Sequence, residues 1–163
     1  MNAQSLTTRQ LSFSQVADFA RLSDVAYSNS PIFSNTNLPD GWQVVSPVTL
    51  GFQPLGSAGD DTLYRFGEQT VRLDQNGYFV DGALASSAFV ALNSALGIVA
   101  VVFRGTNNFF DVLEWPGIHN DDLTAELRPF DALFSAMESF IKSSSSPASG
   151  FRLFATGHSL GGA

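Results

Sequence analysis

Small and apolar residues recur at helical spacing over residues 14–27, where Val16, Phe19, Ala20, Leu22, Ser23 and Ala26 fall close to one face. This predicts an amphipathic helix, with Ser12 or Ser14 as its N-cap. Residues 29–37 are dominated by Ser, Asn, Pro and Thr and read as a loop. Between Gly41 and Gly82, short apolar pieces such as WQVV, DTLYRF and GYFV are interrupted by Gly, Pro, Asp and Asn, which predicts an irregular region with short strands.

The pattern sharpens at AFVAL and GIVAVVF, two apolar runs rich in β-branched and aromatic residues, joined by Asn93-Ser94-Ala95-Leu96-Gly97. They predict two sheet strands linked by a tight connection and buried on both faces, as in an α/β sheet. Residues 107–127 mix large apolar side chains with acids around a Pro116-Gly117 break and predict a loop with a short helical turn. In PFDALFSAMESFIK, the residues Phe130, Leu133, Phe134, Met137, Phe140 and Ile141 stand at relative positions 0, 3, 4, 7, 10 and 11. That spacing predicts an amphipathic helix over residues 129–142, started by a proline and carrying Lys142 in its last turn. Residues 143–150 form a polar connector, after which FRLFAT is expected to be a buried strand. Strand, loop, helix and strand together have the length of a right-handed crossover between parallel strands.

With 163 residues the chain has the size of one domain, and no apolar run reaches the length of a membrane span. The net charge of −7, with only 8 Lys and Arg, argues against a nucleic-acid partner. The absence of cysteine excludes thiolate metal sites and disulfides, and two histidines are a poor basis for a metal centre, so neither metal nor cofactor is expected. The N-terminus MNAQSLTTRQLSFSQ lacks the basic and apolar blocks of a secretory signal, which leaves a cytoplasmic protein and one exported by a signal outside this segment equally compatible.

The candidate chemistry lies at Gly157-His158-Ser159-Leu160-Gly161, a Gly-x-Ser-x-Gly pattern directly after the FRLFAT strand. At about 7% per residue type such a pattern arises by chance in about one chain in twenty of this length, so the strand context carries the weight. A strand-to-helix turn of this kind exposes a serine hydroxyl to a base and to oxyanion donors, both of which a weak nucleophile needs. The two glycines permit the close approach of neighbouring elements. On this reading Ser159 is the nucleophile, and the backbone N–H of Leu160 is one oxyanion donor.

VVFRGT at 101–106 followed about fifty residues later by FATGHSLGGA at 154–163 resembles the class 3 lipase family. These are the fungal-type triacylglycerol lipases and related phospholipases of α/β-hydrolase fold. Val25-Ala26-Tyr27, closing the first helix, is similar to the family's N-terminal helix, so the likeness spans most of the chain. The resemblance implies that Thr106 supplies the second oxyanion contact through its N–H and its hydroxyl, with Leu160 completing the hole. It also implies a lid over residues 107–115, whose Phe109, Phe110, Val112, Leu113 and Trp115 suit an acyl-chain cleft or a lipid surface as well as ordinary packing. One departure is Asp111-Val112, where the family often has Asp-Trp. Arg104 is expected to be structural, pairing with a carboxylate at the strand end.

The implied activity is hydrolysis of lipid or other carboxylic esters through an acyl-enzyme at Ser159. In α/β hydrolases the chain order is Ser, acid, His, yet only Leu160, Gly161, Gly162 and Ala163 follow Ser159. His158 is expected to point away from the nucleophile, and His119 to be a surface residue of the GIHNDDL loop, with a general-base role as the lesser alternative. The chain is therefore expected to be a single, incomplete α/β-hydrolase domain over 1–163, truncated after the nucleophile strand, with an unpaired sheet edge and poor stability on its own. The alternative is a catalytically inert fragment serving as a binding or complementing module. Thioesterase or peptidase chemistry on the same fold is compatible with the serine motif but not favoured by FRGT.

Overall fold

A computed structural model describes residues 11–28, 30–80, 87–104 and 130–157. Helix α1 spans Phe13–Tyr27 and α2 spans Asp131–Lys142; the strands are β1 (Trp42–Val44), β2 (Gln53–Ala58), β3 (Asp61–Phe66), β4 (Gln69–Leu73), β5 (Phe79–Val80), β6 (Ser87–Asn93), β7 (Ile98–Arg104) and β8 (Arg152–Gly157). All eight strands form one mixed sheet in the order β2-β3-β4-β5-β6-β7-β8, with β1 attached to β6. The class is thus α/β. Every pairing is antiparallel except that of β7 with β8, which is parallel.

Strand β6 organises the sheet. Its whole length from Ser87 to Asn93 pairs with β7, so β1 and β5 must share its other edge. β5 takes the Ser87 end and β1 the Asn93 end. The backbone N–H of Val45 continues the β1 ladder, donating to the Val90 carbonyl at 2.8 Å. The turn between β6 and β7 places Gly97 at a positive φ of 62°, and its N–H donates to the Ser94 carbonyl.

Because side chains alternate along a strand, the continuous apolar runs of β6 and β7 serve two faces at once. Ala88, Val90, Val99 and Val101 enter one core with Leu133, Ala136, Met137 and Phe140 of α2. Phe89, Ala91, Ile98, Ala100 and Val102 enter a second core with Phe19, Leu22, Val25 and Ala26 of α1. Among the described residues the result is a sheet with one helix on each face, each full burial of a Val, Leu or Phe side chain being worth about 1.5–3 kcal/mol.

Both helices form where their periodicity predicts. Ser12 is the cap of α1: the N–H of Gln15 donates to the Ser12 hydroxyl, and the Gln15 side chain accepts from the Ser12 N–H at 2.9 Å. That reciprocal pair is a capping box, and it excludes Ser14 from the role. In α2, Asp131 in the first turn and Lys142 in the last complement the helix dipole, and Lys142 also pairs with Glu138 one turn back.

The region from Gly41 onward is more regular than the broken apolar pattern predicts. β2, β3, β4 and β5 form an antiparallel meander, with glycines at positive φ in the turns, 64° at Gly59 and 59° at Gly67. β2 is exposed along nearly its whole length, and a bulge lies between Pro54 and Gly56. Its pairing with β3, rather than an apolar face, makes it a strand, and that is invisible in local sequence. The predicted loop over residues 29–37 contains a 3-10 turn at Ile32–Ser34, tied to the turn between β4 and β5 by the Ile32 N–H donating to the Asn76 carbonyl at 2.8 Å.

Candidate functional site

The strand order sets the geometry of the candidate site. β7 and β8 are parallel neighbours in the register Phe103↔Gly157, so both reach their carboxyl ends at the same edge of the sheet, about 4.8 Å apart. β7 is followed in sequence by Gly105 and Thr106, and β8 by His158 and Ser159. Thr106, Ser159 and Leu160, together with residues 107–115, His119 and His158, lie outside the described residues. The carboxyl edge of parallel strands is where open α/β sheets bind ligands, since the connecting loops and helix N-termini gather there.

Beneath this edge, the α2 side is aromatic. Phe103 meets Phe130 edge-on at 5.4 Å between centroids and Phe134 at 6.2 Å, so the start of α2 packs under the end of β7. The α1 side is polar. Thr156 of β8 stands opposite Val102, and its hydroxyl lies 3.0 Å from that of Ser23 on α1. Ser87 stands opposite Arg104 in the β6–β7 register, is 2% exposed, and among the described residues has no hydrogen-bond partner for its Oγ.

Tyr78, next to β5, is fully buried against the edge of Phe89, 5.9 Å between centroids. Burial pushes its phenol up to about 12; the Arg104 guanidinium pulls it partly back, and the Asp74 carboxylate raises it. A phenol held neutral in this way is no general base at ordinary pH. It instead donates a long hydrogen bond, 3.4 Å, to the Val25 carbonyl near the end of α1.

Ser23 and Thr156 carried no assigned role in the sequence reading, although a signal was present. Each is a hydroxyl residue on the otherwise apolar inward face of its element, where a partner is required. Tyr78 and Ser87 gave no such signal, because the pairings that bury them join distant parts of the chain.

Among the described residues no group of His, Cys, Asp and Glu could hold a metal ion, and no helix is long and apolar enough to cross a membrane. No protein-family model, curated protein or solved structure matches the chain.

Proposed function

We propose that this chain carries the nucleophile and oxyanion hole of a serine carboxylic ester hydrolase acting on lipid esters, built on an α/β-hydrolase sheet similar to that of class 3 lipases. The observation that supports it most is the parallel pairing of β7 with β8. FRGT and GHSLGGA, about fifty residues apart in sequence, extend from paired positions of adjacent strands at one carboxyl edge. An oxyanion hole needs this convergence, since its donors must lie about 3 Å from the oxygen that becomes charged as the serine attacks.

In the proposed reaction the Ser159 hydroxyl adds to the ester carbonyl. The N–H groups of Thr106 and Leu160 hold the tetrahedral oxyanion, and the alcohol leaves to give an acyl-serine that water then hydrolyses. The serine proton passes to a general base and from it to the leaving alcohol. No residue of this chain is assigned as that base. The apolar residues Phe109, Phe110, Val112, Leu113 and Trp115 between the two motifs favour an acyl chain over a polar ester as the substrate class.

The test is covalent. A serine-directed fluorophosphonate is applied to the protein carrying this chain and the adduct located by peptide mass spectrometry. Modification at Ser159, lost in Ser159→Ala, is the expected result; an adduct elsewhere, or none, overturns the assignment. Ester turnover by the 163-residue chain itself, abolished by the same substitution, would rule out the inert-module reading.

A further inference from the structure

We infer that the hydroxyls of Ser23 and Thr156 form a clamp between α1 and β8 that positions the nucleophile, Ser159, three residues beyond Thr156. The inference rests on the esterase reading of Ser159. Among the described residues β8 closes one end of the strand order and pairs with β7 alone, which fixes its register. Its residues alternate between partly buried and exposed and none is fully buried, with Leu153 41% exposed. What holds the strand against the body of the protein on the other side is therefore α1, at two successive inward positions.

The first contact is aromatic: Phe19 meets Phe154 at 5.3 Å between centroids and also packs edge-on against Trp42, whose indole N–H donates to Asp18 at 3.1 Å. The second is the hydroxyl pair. The Ser23 hydroxyl donates to the Phe19 carbonyl at 2.8 Å, which uses its one proton. Thr156 must then be the donor in the 3.0 Å contact with Ser23. Its hydroxyl also lies 3.5 Å from the same Phe19 carbonyl. One helical turn, residues 19–23, thus grips the last stretch of β8 before the candidate nucleophile.

Valine would fill the position of Thr156 with the same shape and a higher affinity for the apolar layer, so packing alone does not explain the hydroxyl. A hydrogen bond adds what packing lacks, a fixed distance and direction. Misplacement of a reacting group by about 1 Å is enough to slow a reaction about a hundredfold. Ser23 and Thr156 are positioning residues on this account and touch no substrate.

The experiment compares fluorophosphonate labelling rates of the protein carrying this chain with those of Thr156→Val, Thr156→Ser and Ser23→Ala, alongside their unfolding midpoints. Labelling of Ser159 is expected to slow about tenfold in Thr156→Val and in Ser23→Ala with the midpoint little changed, and to return to within about twofold in Thr156→Ser. With an ester substrate the loss is expected in kcat and not in KM. Labelling of Thr156→Val at the parent rate overturns the clamp, as does a Thr156→Ser variant no faster than Thr156→Val, or a loss that tracks a fallen midpoint in both deletions. A parent protein unlabelled at Ser159 overturns the esterase reading, and the clamp with it.

Discussion

Replacing Gly77 by alanine is expected to destabilise the protein by about 2–5 kcal/mol. Gly77 lies in the turn between β4 and β5, at φ 89°. Its N–H donates to the Asp74 carbonyl at 2.9 Å, while the Asp74 carboxylate accepts from the N–H groups of Asn76 and Tyr78 at 2.9 Å each. That network prevents the turn from rotating to a negative φ, so alanine there carries a left-handed penalty of about 1–2 kcal/mol. A Cβ would also stand 2.6 Å from Phe33 Cε2 and 2.9 Å from Ile32 Cγ2. Phe33 is 53% exposed and can swing aside. Ile32 cannot, being fully buried and tied through its N–H to Asn76, and overpacking against such a neighbour typically costs about 1–3 kcal/mol. Urea titrations of the parent, Gly77→Ala, Phe33→Ala and the double variant separate the contributions. The alanine penalty is expected to shrink but persist in the Phe33→Ala background. A Gly77→Ala protein within about 0.5 kcal/mol of the parent, the range of an ordinary surface substitution, would refute the account of this turn.

Tyr78 predicts an alkaline transition. Its folded pKa of about 12 lies above the ordinary value of 10.0, so the stabilisation it brings is complete below pH 10 and disappears as pH rises toward 12. Stability measured against pH should fall over that window in the parent and not in Tyr78→Phe; equal slopes would contradict the burial of the phenol. Ser12→Ala removes the capping box of α1 and is expected to cost about 1 kcal/mol by denaturant titration, whereas Ser14→Ala should cost a few tenths at most. Leu133→Ala empties a fully buried site between α2 and the sheet and is expected to cost about 2–5 kcal/mol; a smaller loss would mean that α2 is not packed on that face.

The elements most legible in the sequence are those whose side chains record their own surroundings. α2 carries its burial in the spacing of Phe130, Leu133, Met137 and Phe140, and β6 and β7 carry theirs in unbroken apolar runs. β2 records nothing of the kind, because its residues face solvent and backbone pairing with β3 defines it. The candidate nucleophile is legible for a different reason. A strained serine turn needs glycines at fixed offsets, and those offsets are local.

By itself, then, the sequence determined two helices, two central strands buried on both faces and a serine motif following a further strand, although that strand, β8, is partly exposed where its apolar run predicts burial. It did so because each leaves its mark in the spacing of residue types within a few positions of the chain. The length of the strand–helix–strand segment already pointed to parallel strands, but the tertiary structure alone decided that β7 and β8 are direct neighbours in the register Phe103↔Gly157, that β1 and β5 share an edge of β6, and that Ser23 meets Thr156. These are pairings between segments far apart in the chain, and each residue's own preference is the same whichever partner it finds. Only the joint burial of both faces of one sheet selects among them.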